Sequence, residues 1–176
     1  MKRILLVLFI MLFAFSAAGC GGDKPEKEKA DEIVYIVDLC YIDKEYAAAG
    51  NDDPLILRYY EKQHIFAKEG RQYLTLLDEI LRGNVFGSDS ITTMITDKIQ
   101  FNSVVVKDGT AFVDLVGEGL AGSSFEEGLL ISQIVNSLIG SFEEILRVQF
   151  LVDGEMAESL MGHYSADEPY EEGPVR

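Results

Sequence analysis

Residues 98–106 and 110–116 are rich in β-branched and aromatic side chains, and the Lys107-Asp108-Gly109 stretch separates them. An Asp-Gly pair accepts the positive φ angles of a tight reversal, so this segment predicts a β-hairpin. A long helical stripe follows, formed by Phe125, Leu129, Leu130, Ile134, Val135 and Leu138. Ser123 and Ser124 precede it, each with a glutamate three residues later (Glu126, Glu127), which is a doubled capping-box signal. The helix is expected to end near Gly140, residues 148–152 return to a strand pattern, and Asp153-Gly154 punctuates its end. A hairpin that passes through a helix into another strand commits this half of the chain to a sheet covered by helices.

The first half is read less evenly. Residues 33–42 (Ile-Val-Tyr-Ile-Val-Asp-Leu-Cys-Tyr-Ile) predict a strand, with Cys40 as a small buried hydrophobe. Between Asp43 and Gly70, Asn51-Asp52-Asp53-Pro54 signals a turn, while residues 55–60 fit a strand and a short helix equally. From Arg71, apolar residues at Tyr73, Leu74, Leu77, Ile80 and Leu81 recur at helical spacing, and Gly83-Asn84 is a stop signal. With 176 residues, 48% of them apolar, the chain has material for one core. The expected class is α+β, with two helices packed on one face of a mixed β-sheet and an extra N-terminal strand.

The N-terminus carries an address. Lys2 and Arg3 precede an apolar run over residues 4–15 and then the small residues Ser16, Ala17, Ala18 and Gly19. This is the pattern of a secretory signal, and the run is too short for the roughly 20 residues of a spanning helix. Ala17-Ala18-Gly19-Cys20 resembles a bacterial lipobox, which makes Cys20 the lipidation site. A thiolate accepts a diacylglyceryl group, and cleavage then frees an α-amine for further acylation. At about 0.8 kcal/mol per buried CH₂, two or more chains hold a protein stably to a bilayer. The expected organisation is a signal peptide over 1–19, a lipidated cysteine with a Gly-, Pro- and charge-rich tether over 20–30, one domain over 31–170, and a tail over 171–176. The expected location is the extracytoplasmic face of the cell membrane.

Charge and residue inventory narrow the function. Thirty acidic residues stand against 15 basic ones, a net −15, and loss of the leader with Lys2 and Arg3 makes it −17. Such a chain repels nucleic acid and anionic headgroups. Two histidines, two cysteines and no tryptophan leave few candidates for catalysis. Gly117-Glu118-Gly119-Leu120-Ala121-Gly122 matches a dinucleotide fingerprint, yet Glu118 would set a carboxylate beside the pyrophosphate and no second βαβ unit accompanies it, so it reads as a strand-to-helix turn. His163 reads as a hydrogen-bonded structural residue. His64 lies about a hundred residues away and supplies no zinc spacing. Ser124 reads as a cap, and Asn51-Asp52-Asp53 lacks the alternation of a calcium loop. No catalytic, cofactor-binding or metal-binding residue is assigned, and Cys20 is the single site residue.

Taken in order, Val106-Lys-Asp-Gly-Thr-Ala-Phe-Val-Asp-Leu115, Gln133-Ile-Val-Asn136, Phe150-Leu-Val-Asp-Gly154 and Gly162-His163 before Pro169 resemble the GerMN domain of sporulation and germination lipoproteins. The resemblance implies an α-β-β-α-β core like the ring-building motifs of secretion and sporulation channels. It also implies a non-enzymatic, lipid-anchored scaffold without cofactors that works through contacts with other envelope proteins, with self-association a further expectation. Peptidoglycan binding, or an accessory role in cell-wall hydrolysis, is the alternative; a small-molecule-binding lipoprotein would need a sizeable apolar pocket.

Overall fold

The structure is a computed structural model that describes residues 32–49, 58–82 and 89–174. The described elements are β1 (Ile33–Asp43), α1 (Lys44–Ala49), β2 (Arg58–Ala67), α2 (Gln72–Arg82), β3 (Ile91–Thr92), β4 (Phe101–Lys107), β5 (Thr110–Leu115), α3 (Ser124–Ser141), β6 (Arg147–Val152) and β7 (Glu155–Met156). The α+β class is as expected, and α2-β4-β5-α3-β6 follows the α-β-β-α-β order with the two-residue β3, which pairs with β1, inserted after α2.

The hairpin forms the start of a mixed sheet in the order β4-β5-β6-β7. β4 and β5 are antiparallel, with Lys107 opposite Thr110, and Asp108 and Gly109 take φ of 50° and 76° at the turn. β5 and β6 are parallel, from Thr110 opposite Arg147 to Leu115 opposite Val152. A parallel pair cannot be joined by a tight turn, so the chain crosses between them through α3. Asp153 and Gly154 repeat the positive-φ pair, at 52° and 84°, and reverse the chain into β7.

The expected N-terminal strand exists, but it does not join that sheet. β1 pairs antiparallel with β2 along its length, Ile33 opposite Ala67 through Ile42 opposite Arg58, and with β3 only at Ile42 and Asp43. The strands therefore divide into two sheets instead of the single sheet expected. The reason lies on α3, where Gln133, Ser137 and Ser141 follow one another at four-residue intervals on one helical face. The Cys40 amide donates to Ser137 Oγ at 2.9 Å, and Gln133 Nε2 donates to the Cys40 carbonyl at 2.9 Å. One residue pair earlier, the Asp38 amide donates to Ser141 Oγ at 2.9 Å, and that hydroxyl donates to the Asp38 carbonyl at 3.2 Å. Helix side chains thus satisfy backbone groups on the edge of β1 that a neighbouring strand would otherwise take.

α3 packs against β1 of one sheet and β6 of the other, and every residue from Glu127 to Leu138 is buried. Leu130, Ile134 and Leu138 share one core with Leu39 and Tyr41 of β1, Leu76 and Leu77 of α2, and Val113 and Phe150 of the mixed sheet. The helix read from Arg71 is α2. The segment left open between 43 and 70 contains α1 and the ten-residue β2, and residues 50–57 lie outside the description. Cys40 is buried, as its setting in an apolar strand suggests.

The packed chain runs on past residue 170. Val148 and Tyr170 exchange two backbone hydrogen bonds of 2.8 Å each, and the buried Gly173 lies against α3. A Cβ on Gly173 would come within 2.5 Å of the Ser132 Cα, so only glycine allows this crossing.

Candidate functional site

The residues with the most chemistry gather at the N-terminus of α3. Ser123 is its N-cap: the Glu126 amide donates to Ser123 Oγ at 3.3 Å, while Glu126 Oε2 accepts from the Ser123 amide at 2.7 Å and from its hydroxyl at 2.8 Å. The Ser123 backbone N–H, followed by its hydroxyl, holds the Glu126 carboxyl below its ordinary value of 4.5. A depressed acid contributes stability above its ordinary value and loses it as pH falls through the lowered one. Ser123→Ala is therefore expected to cost about 1 kcal/mol in urea denaturation near neutral pH. That difference should shrink in strong acid, where Glu126 is protonated in both states.

The second half of the doubled capping signal does something else. A helix has one N-cap, so Glu127 is not paired with Ser124; its carboxylate turns inward and is fully buried. Four backbone amides of the loop after β7 donate to it. Leu160 and Met161 reach Oε1 at 2.9 and 2.8 Å, and His163 and Tyr164 reach Oε2 at 2.8 and 3.2 Å. The loop can curl around the carboxylate because Gly162 takes φ of 93°, with its amide donating to Ser159 Oγ at 2.8 Å. An anion in the first turn of a helix also faces the positive end of the helix dipole.

His163 acts in the same assembly. Its Nε2 lies 3.1 Å from the Gly122 carbonyl oxygen. A carbonyl only accepts, so this ring nitrogen carries the proton and the imidazole ties the 160–164 loop to the turn before α3. That is the structural role expected of it. His64 is exposed on β2, opposite Ile36.

The glycines of the fingerprint-like turn are explained by close approach of the chain to itself. Gly119 has φ of 99°, and a Cβ there would sit 2.4 Å from the Lys98 carbonyl oxygen. A Cβ on Gly117 would meet Asp153 Oδ2 at 2.7 Å, and one on Gly122 would meet Met161 Sδ at 3.0 Å. The strand-to-helix turn is packed by the protein's own groups at the positions where a dinucleotide site brings in phosphates. Beside it lies a cleft of about 460 Å³, with Met94, Ile99, Leu130 and Met161 supplying apolar walls and Asp97 and Lys98 polar ones. Glu126 also borders the cleft, but its carboxylate is occupied by Ser123.

Among the described residues, no group of three or more His, Cys, Asp or Glu could hold a metal ion, and no helix is long and apolar enough to cross a membrane. Cys20 and the expected signal peptide over 1–19 lie outside the described residues. Sequence reasoning did not find the inward roles of Glu127 and Gln133; the one available signal was the redundancy of two overlapping capping boxes at a helix that needs one.

A helix, a hairpin, a crossover helix and a parallel strand, closed by a loop clamped on a buried carboxylate, define an α+β module. The family model Germane, described as "Sporulation and spore germination", matches residues 39–158, and the chain belongs to that family. Its fold is similar to that of the first GerMN domain of the sporulation protein GerM from Bacillus subtilis, with a TM-score of 0.58 and 15% identity over 80% of this chain and 98% of that one. The tandem GerMN domains of the same protein also match, with a TM-score of 0.58 and 15% identity over 78% of this chain and 46% of the tandem. A comparison with curated protein sequences returned no match.

Proposed function

We propose that this chain is a non-catalytic interaction module, anchored through a lipidated Cys20 to the extracytoplasmic face of a bacterial membrane, that works by binding other envelope proteins in sporulation or germination. The observation carrying the non-catalytic reading is how the polar groups around α3 are employed. Glu127 is saturated by four amides, His163 is tied to Gly122, Ser123 and Glu126 cap the helix, and Gln133 holds two segments together. Groups engaged in this way position backbone and leave no nucleophile beside a general base. Membership of a sporulation and germination family supports the setting, and Ala17-Ala18-Gly19-Cys20 after an apolar run supports the anchor.

Cys20→Ala is expected to move the protein from the membrane to the soluble fraction on cell fractionation while leaving its circular dichroism and urea midpoint unchanged. Retention of the variant in membranes at high salt would count against the anchor. Pull-down of the mature chain from envelope extracts should recover a protein partner. Co-sedimentation with purified peptidoglycan and turnover of a wall substrate, without a protein partner, would reverse the reading in favour of a role on the cell wall.

A further inference from the structure

The outer face of the β1–β2 ribbon changes character along its length. Register places Val34 opposite Phe66, Ile36 opposite His64, and Asp38 opposite Lys62, so these side chains share one face with Cys40 and Ile42. Cys40 and Ile42 are buried, whereas Val34, Ile36 and Phe66 are 51%, 57% and 62% exposed. Three large apolar side chains therefore stand bare and contiguous at the end of the ribbon where β1 begins. Exposed apolar patches of this kind mark interaction surfaces.

We propose that this patch seats on the lipid–water interface of the membrane to which the chain is anchored, so that the domain is held in one orientation rather than swinging free. Two observations choose a bilayer as the occupant. The first is position. Val34 lies fourteen residues after Cys20, and the eleven residues 21–31 reach at most about 40 Å even when fully extended. The anchor thus keeps this end of the domain within reach of the headgroups at all times.

The second is charge. The chain carries −15, or −17 once residues 1–19 are removed, and an anionic membrane repels most of its surface. On this face, Lys62 Nζ lies 3.8 Å from Asp38 Oδ1 and offsets its charge, and just beyond the end of β2 the exposed Lys68 follows Phe66 by two residues. Apolar side chains flanked by lysines suit an interface, because lysine stems lie along apolar surface while the ammonium groups remain at headgroup level. The exposed His64 sits among them.

This inference rests on the lipid-anchor reading, and its test separates the two. The chain has no tryptophan, so Phe66→Trp introduces a single indole at the patch, and Leu146→Trp introduces one at an equally exposed apolar site after α3. Each mature, natively processed chain is reconstituted into phosphatidylcholine–phosphatidylglycerol vesicles with and without brominated acyl chains. Flotation reports the anchor, and quenching by bromine reports the docking. Where a chain does not float, its Cys20 thiol is coupled to a maleimide phospholipid to supply the tether, Cys40 being buried.

The expected result is a blue-shifted, strongly quenched indole in Phe66→Trp and an unquenched one in Leu146→Trp. Adding Val34→Ser and Ile36→Ser to Phe66→Trp should lower the docked-to-free ratio about tenfold. An unquenched indole at position 66 in a vesicle-bound chain overturns the proposal and leaves the anchor standing. So does an emission shift that appears only when envelope proteins are added, which would make the patch a protein interface.

Discussion

Glu127→Ala is expected to remove roughly 3–5 kcal/mol of stability, a large part of the 5–15 kcal/mol typical of a domain. The loss comes less from the missing carboxylate than from the four amides it leaves behind. Leu160, Met161, His163 and Tyr164 each present a donor to that single buried group. An orphaned buried donor costs about 1–3 kcal/mol, reduced here to the extent that the loop opens and lets water in. Urea denaturation should show a midpoint lowered by about 2 M, given slopes of 1–3 kcal/mol per M. Hydrogen exchange should show the four amides losing protection before the rest of the domain. Glu127→Gln retains one acceptor oxygen and turns a donor toward the other two amides, so it should give about half the loss. Wild-type exchange rates at these positions in Glu127→Ala would refute the clamp.

Gln133→Leu should cost roughly 2–4 kcal/mol while preserving side-chain volume, second only to loss of Glu127. Gln133 Oε1 accepts from the Met94 amide at 2.9 Å and from Thr93 Oγ1 at 3.1 Å, and its Nε2 donates to the Cys40 carbonyl. One amide group therefore joins α3 to β1 and to the segment after β3. Leucine fills the space and satisfies none of these partners. Ser137→Ala removes the acceptor of the Cys40 amide, and combined with Gln133→Leu it should cost less than the sum of the two, because both side chains hold the same residue of β1. Additive losses in that double-mutant cycle would show that the two side chains act independently.

The parts of the fold that were readable from residues alone share a physical basis. The Asp108-Gly109 reversal, the Ser123 cap with Glu126 and the apolar stripe of α3 are each specified within a few positions by φ preference, hydrogen-bond reach or side-chain period. β6 and α2 follow the same logic. β2 does not, because it places Phe66 outward beside the inward Ile65 and Ala67 and mixes in Glu61, Lys62, Gln63 and His64. Its alternation is blurred by the exposed patch, and its identity as a strand depends on β1, whose paired residues run from Ile42 opposite Arg58 to Ile33 opposite Ala67 across an intervening helix. The turn glycines were readable as a turn; that Gly119 faces the Lys98 carbonyl was not.

The division into two sheets and the fate of Glu127 belong to a different order of interaction. Ser123 with Glu126 and Ser124 with Glu127 are equivalent as local patterns, and Gln133, Ser137 and Ser141 resemble an ordinary polar stripe. Burial changed what these residues had to do. Once α3 is enclosed on every side, a carboxylate, an amide or a hydroxyl on its surface must find partners within the protein, and the nearest ones lie 33 to 103 residues away along the chain. Turn chemistry, capping and periodicity act over one or two helical turns, so residue order settled where the second-half elements begin and end. The cost of burying an unpaired polar group acts through space, so the packed chain alone selected the partners that these polar groups hold.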